Sequence, residues 1–467
     1  MNAFLAASPV FSSILALGFG IRALHAALLG VLAAVMAAII AFPPGTAEIG
    51  VALLKWLPLV LEVVLIVGGG LLMSEVLRHA GAQAALANWI KDRAGTGVGA
   101  VLLVVHGITP FAESVTGFGI GVTIGIPLLV FMGLPARHAA LIGLLGLCAV
   151  PWGSMGPGTM IAASLAGLRF DELGVASAAL SLLPFAINGG VAAWLVSAPG
   201  ERPRALALAL GSAVLLSLAV GLSNLTFGTA PAGALGSVAI ICLHLLRAAR
   251  GSAPLPAIGR RALQAYGLLL GGVLVAGSCV RFTGLPDAWH YLASPALWLF
   301  VAALWFCAGQ PPAEPRARAW KAWLQVAPVT ALFIVMGIVM AVSGTAAYLA
   351  RLLAEMGSGY LVVGPFVGAL GGFVTGSSSG SNAMFAATQA EIARSLGANL
   401  LLFMATHNVA AAISILASPG KIEMALQLAG DGGAQRRWVQ RMAIIVVVCC
   451  AGLMALVNAG LPMVLKH

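Results

Sequence analysis

Val115–Gly121 reads VTGFGIG and Val374–Gly380 reads VTGSSSG. Each lies inside a long apolar stretch, one in each half of the chain. In hydrocarbon an unpaired backbone N–H or C=O costs several kcal/mol, on the order of 2–7. Breaks in helices at membrane depth therefore survive only where protein, water or a ligand satisfies the freed groups. Whether these two segments are such breaks decides the fold, and it points to function at the same time.

The surrounding composition supports that reading. Of 467 residues, 61% are hydrophobic and 8% charged, with a mean hydropathy of +1.04. That is too little charge to cover a soluble protein of this length. The apolar runs extend for about 17–25 residues, enough to cross a bilayer. They are continuous rather than alternating, which excludes a β-barrel. The chain reads as an all-α polytopic membrane protein with membrane lipid as its surroundings. The net charge of +10 does not point to nucleic acid, because Lys and Arg collect in short loops, as the positive-inside bias expects. The six cysteines lie in or beside apolar runs without CxxC spacing, so neither a disulfide nor a metal site is expected. Met1–Gly20 lacks a basic leader region and a cleavage site and reads as a retained helix.

Charged punctuation sets the layout. Basic clusters fall at Arg22, Arg78–Arg93, Arg202 and Arg204, Arg247–Arg261, Arg316–Lys321 and Arg436–Arg441. With these on the cytoplasmic side, the chain reads as about 12 transmembrane helices plus two re-entrant hairpins. The first three spans cover 3–21, 23–42 and 50–77, and the first hairpin covers 97–133 with its tip at Glu113–Gly119. A span over 138–168, interrupted by VPWGSMGPG (Val150–Gly158), and one over 173–197 follow. Linking spans at 205–223 and 231–247 lead to a second set: 262–281, 293–309, 323–350, hairpin 358–396, interrupted span 400–428 and 437–461. The two sets run in opposite directions. Residues 1–200 and 262–467 therefore read as an inverted repeat joined by 201–261, an arrangement expected of secondary transporters that bind near the midplane. SMGPG (Ser154–Gly158) and LASPG (Leu416–Gly420) mark corresponding breaks.

Several residues at the breaks suit a carboxylate. Gly117, Gly119 and Gly376 let backbone approach a partner closely. The arm after each tip begins with free N–H groups carrying partial positive charge. Thr116, Thr375, Ser377, Ser378 and Ser379 add hydroxyls, and Asn382 and Asn408 add amides. Ser154 and Ser418 stand at the interrupted spans. Glu113, an acid at bilayer depth, is a functional candidate by default; proton coupling is its expected role and a structural cap the rival. His106 lies two turns before it, and His407 precedes the second break; both are candidates for proton coupling. Trp152 lines the site or fills space. Lys421 attracts an anion or snorkels to the interface, and snorkelling is the favoured reading. No nucleotide-binding motif, nucleophile–base pair or metal-ligand cluster emerges, so no catalytic residue, metal or cofactor is expected.

FAESVTGFGIGV (Phe111–Val122) resembles the acidic, Gly-rich signature of bacterial lactate permeases, the L-lactate/glycolate:proton symporters. TGSSSGSNAMF (Thr375–Phe385) resembles that family's second signature. ATHNVAAAISILASPGKIEMA (Ala405–Ala425) and CAVPWGSMGPG (Cys148–Gly158) are similar to the stretches that follow each. The chain departs from the family pattern at Val115, Ile120-Gly121, the SSSGSN run and His407, changes that bear on substrate identity. The resemblance implies an elevator-type carrier fold in the bacterial cytoplasmic membrane and uptake of a short 2-hydroxymonocarboxylate (lactate, glycolate or a related acid) with protons. It directs attention to Glu113, Thr116, Gly117, Thr375, Ser377, Asn382 and Asn408. The remaining spans would form a scaffold whose outer face offers a homodimer contact. A sodium-coupled carboxylate carrier of the same fold, with oxygen ligands at the tips, and a channel built from broken helices are the alternatives.

Overall fold

The computed structural model describes residues 1–247, 254–283, 291–431 and 433–460. Part of the basic cluster Arg247–Arg261 and the last residue of the span predicted over 437–461 lie outside them. Helices account for nearly all of the described residues, and no strand occurs among them. Nine helices there are long and apolar enough to cross a bilayer, ten if a bent pair is one span. Asn2–Gly18, Ala232–Arg247 and Pro295–Phe306 are shorter apolar helices at positions predicted as spans.

Both predicted hairpins are present. The first rises through Val98–Leu103, a π-helical turn at Val104–Ile108 and Thr109–Thr116, then returns through Ile120–Phe131. The second pairs Gly359–Thr375 with Ser378–Ser395. After each comes a broken element. Ala136–Leu145 bends by 50° into Leu147–Met155 and continues as Pro157–Ala166. Leu400–Ile413 passes through Ser414–Ala417 and resumes as Pro419–Leu428. In both, Pro opens the resumed helix, where its missing N–H costs nothing.

The helices sort into two groups by what they pack against. Thr46–His79 packs on Ala313–Val342 and Pro295–Phe306, with Ala23–Ala41 and Ala257–Thr283 alongside. The hairpins and broken elements form the other group, around Phe170–Val196 and Arg436–Gly460. Its core is continuous across the two halves of the chain: Val105, Ile126, Leu141 and Leu145 share one buried cluster with Ile413, Leu416, Ile422 and Cys450.

Two details differ from the sequence reading. The span predicted over 323–350 ends at Val342, because Gly344 turns the chain with φ 77° and a separate helix, Thr345–Ala354, follows. The basic stretch after the third span is itself helical, over Ala82–Ala94.

Candidate functional site

The first tip turns on three consecutive left-handed residues, Gly117 (φ 72°), Phe118 (φ 58°) and Gly119 (φ 86°). Such backbone costs of order 1–3 kcal/mol at a non-glycine residue. Glu113 sits one helical turn before it. Its carboxylate accepts the Gly119 N–H on both oxygens, at 3.1 and 3.0 Å, and the Gly121 N–H at 3.3 Å. The side chain thus caps the returning arm, where an anion is favoured by the free N–H groups and the helix dipole.

The second tip is tighter. Gly376 takes φ 64°, and Ser377 caps the returning arm by accepting the Gly380 N–H at 3.2 Å. Thr375 Oγ1 donates to the Gly371 carbonyl at 2.7 Å and accepts the Ser377 N–H at 3.2 Å. No hydrogen bond of the Ser378 or Ser379 hydroxyl occurs among the described residues.

Tips and breaks meet crosswise. A Cβ on Gly117 would stand 2.7 Å from Ser154 Cβ, and one on Gly376 would stand 3.3 Å from Ser418 Oγ. A Cβ on Gly119 would stand 2.5 Å from Lys421 Nζ, and one on Gly158 would stand 2.5 Å from Ser378 Oγ. Each tip therefore docks on its own break and on that of the other half, and close approach at these positions requires glycine. Ser154 (φ 52°), Met155 (φ 65°) and Gly156 (φ 84°) extend the strain into the first break.

These contacts enclose a cavity of about 320 Å³. Glu113, Gly117, Ser154, Thr375, Gly376, Ser377, Ser378, Ser379 and Lys421 line it on the hairpin side. Val67, Gln325, Val329 and Thr330 line it on the other. Among the described residues, Glu113 and Lys421 are its only ionisable lining groups. The volume is at the small end of the roughly 300–1,000 Å³ typical of ligand sites.

Other sequence candidates stand elsewhere. Thr116 spends its hydroxyl on the Ala112 carbonyl at 2.7 Å and does not line the cavity. Asn382 and Asn408 are fully buried behind the second tip. Asn382 Nδ2 donates to the Gly158 carbonyl at 2.9 Å and to Asn408 Oδ1 at 2.8 Å. Asn408 Nδ2 reaches Thr159 Oγ1 and Ser177 Oγ, both at 3.0 Å. Thr159 Oγ1 in turn donates to the Pro151 carbonyl at 2.6 Å. Carbonyl acceptors at both ends fix the orientation of both amides. The network ties the second hairpin to the first break. Ser418 lies behind Gly376 with its hydroxyl unpartnered among the described residues.

Neither histidine reaches the cavity. His106 Nε2 is 3.0 Å from the Phe185 carbonyl, so it carries the proton; Nδ1, 2.8 Å from Ser212 Oγ, accepts. Both ring nitrogens are thus engaged in the neutral form. His407 is fully buried against Gly368, with the Gly364 backbone beside its ring. Trp152 is fully buried, with its indole N–H 3.4 Å from Asn224 Oδ1, and fills space rather than lining the cavity. Lys421, read from sequence as snorkelling, is instead a cavity residue. Its nearness to Gly119 is a tertiary fact that its own sequence neighbourhood does not carry.

Fold and site together define a multi-pass integral membrane protein in which two helical hairpins and two broken helices surround one polar cavity. The family described as L-lactate permease matches residues 292–461. The L-lactate permease of Escherichia coli (strain K12) is 38% identical over 93 residues, which is 20% of this chain and 17% of that protein. That of Salmonella typhi is 37% identical over the same length. The L-lactate permease of Streptococcus iniae is 26% identical over 344 residues, covering 64% of this chain and 71% of the relative. The matched part thus spans 17% of the length of the Escherichia coli relative. The Alcanivorax borkumensis YdaH transporter, a solved structure, aligns with 89% of this chain and 87% of its own at 16% identity and a TM-score of 0.47. The chain is thus similar to the L-lactate permease family over part of its length. Its apolar helices and this family are consistent with the bacterial inner membrane.

Proposed function

We propose that this protein is a secondary carrier that moves a small organic monocarboxylate, lactate or a related 2-hydroxy acid, together with protons. The observation that carries this reading is the convergence of both tips and both breaks on one small cavity whose only acid, among the described residues, is Glu113. The Ser378 and Ser379 hydroxyls, without hydrogen bonds among the described residues, offer donors to a carboxylate, and Glu113 offers a proton site. The relatives' description as L-lactate permeases supports the substrate class. The hairpin group would move against the helices around Thr46–His79 as an elevator, with 1–200 and 262–467 as inverted repeats. The cavity wall includes Ala23 and Gln325, beside Arg22 and near Lys321. Under the positive-inside bias that end is cytoplasmic.

A sodium-coupled carrier is the second reading, favoured by Asn382 Oδ1 and Ser418 Oγ, both unpartnered among the described residues. Uptake of labelled L-lactate into proteoliposomes, driven in turn by a proton and by a sodium gradient, tests both. Accumulation under the proton gradient alone supports the symport reading. Accumulation that requires sodium and ignores pH refutes it.

A further inference from the structure

Lys421 has no task in the reading above. It lies in the first turn of Pro419–Leu428, and it makes no hydrogen bond and no ion pair within 4.0 Å among the described residues. It nevertheless borders the cavity, and its Nζ reaches the first tip at Gly119. The same Gly119 donates its N–H to the Glu113 carboxylate. Ammonium and carboxylate thus stand on either side of one glycine without closing on each other. Beside Lys421, the helix begins with free backbone N–H groups, and the Ser418 hydroxyl is 2% exposed and unpartnered. A lone cation in the first turn of a helix, bordering a small cavity, forms a receptor for a single carboxylate.

We propose that Lys421 binds the substrate carboxylate, and that Glu113 is the counter-anion it serves while the site is empty. The proposal rests on the carrier reading above. In the empty site Glu113 is ionised and balances Lys421. When a proton neutralises Glu113, the ammonium is left for the incoming carboxylate, and the proton travels on Glu113. The site is then electrically balanced both empty and loaded, which lowers the cost of carrying it through the bilayer. One cation in about 320 Å³ also selects mono- over dicarboxylates.

Other ionisable groups on the packed elements are engaged elsewhere. His106 bonds Ser212 and Phe185, Glu423 pairs with Arg436 at 3.8 Å, and Arg137 and His138 lie against Trp438. On Thr46–His79, Glu75 pairs with Arg78 and Arg318, and Glu62 lines a separate cavity. His244, on Ala232–Arg247, lies against Gly99.

The test is equilibrium binding of labelled L-lactate to the purified full chain across acidic to alkaline pH, with gel filtration establishing that each variant is folded. Wild type should bind more weakly as pH rises. Lys421→Gln should weaken binding roughly 10- to 100-fold at every pH, as expected for loss of a hydrogen bond to a charged group, and Lys421→Arg should recover most of it. Glu113→Gln should bind lactate without pH dependence. Lys421→Gln binding as well as wild type, Lys421→Arg behaving no better than Lys421→Gln, or pH dependence persisting in Glu113→Gln would each overturn the assignment. Wild type that binds no lactate would instead bring down the carrier reading and this assignment together.

Discussion

Gly121→Ala joins packing to function most sharply. Gly121 opens the returning arm of the first hairpin, and its N–H reaches Glu113 at 3.3 Å. A Cβ there would stand 2.3 Å from the Thr109 carbonyl oxygen and 3.0 Å from Thr109 Cγ2. The obstacle is helix backbone and cannot rotate away, so the arms must part by about 1 Å to restore ordinary contact. That displacement carries the N–H groups of Gly119 and Gly121 past about 3.5 Å from the carboxylate, where they cease to be hydrogen bonds. Hydrogen bonds to a charged group are worth about 1.5–3 kcal/mol each, and overpacking itself costs about 1–3. Water in the cavity offsets part of this, leaving a loss of about 3 kcal/mol at the tip. Proton-driven lactate uptake in proteoliposomes should fall by roughly 100-fold, with the protein still inserted. Gly190→Ala is the control, since its Cβ would meet only Leu206, at 3.7 Å. Uptake by Gly121→Ala equal to that of Gly190→Ala would refute the claim that the returning arm positions Glu113.

Asn408→Ala removes three buried hydrogen bonds between helices; at the modest value such bonds have in membranes, reversible unfolding in mixed micelles should register a loss of about 2 kcal/mol. A double-mutant cycle with Thr159→Val should return a coupling of about 0.6 kcal/mol, and additivity would deny the network. His106→Leu should cost roughly 1–3 kcal/mol of stability by removing two buried hydrogen bonds, to the Phe185 carbonyl and Ser212 Oγ, while leaving the pH profile of uptake unmoved. A shifted profile would return His106 to the proton path.

The parts of this structure that the sequence makes legible are those written as breaks in apolar runs. Glycine, proline and serine cluster at Val115–Gly121, Val150–Gly158, Val374–Gly380 and Leu416–Gly420, where an unbroken span would carry larger apolar residues, so they betray two hairpins and two interrupted helices. The Ser343-Gly344 turn is not legible in the same way, because one glycine in a helical pattern is usually tolerated. The site is harder to read, because side-chain roles depend on partners far along the chain. The Thr116 hydroxyl is lost to a carbonyl four residues back, an ordinary habit of Thr in helices. His106 is taken by Ser212 and Phe185, neither of which its own neighbourhood predicts. Lys421 reads as an interface anchor until Gly119 is seen beside it. Glu113, by contrast, announces itself, because a carboxylate is costly in hydrocarbon and seldom stands there without a task.

The central claim is that a proton carried on Glu113 accompanies each substrate anion through one cavity. Its most direct measurement follows external pH as an L-lactate pulse is given to lightly buffered proteoliposomes, alongside exchange of labelled lactate. Wild type should alkalinise the medium as it takes up lactate. Glu113→Gln should still exchange labelled lactate but leave external pH unchanged. Alkalinisation by Glu113→Gln at the wild-type ratio of protons to lactate would contradict the account.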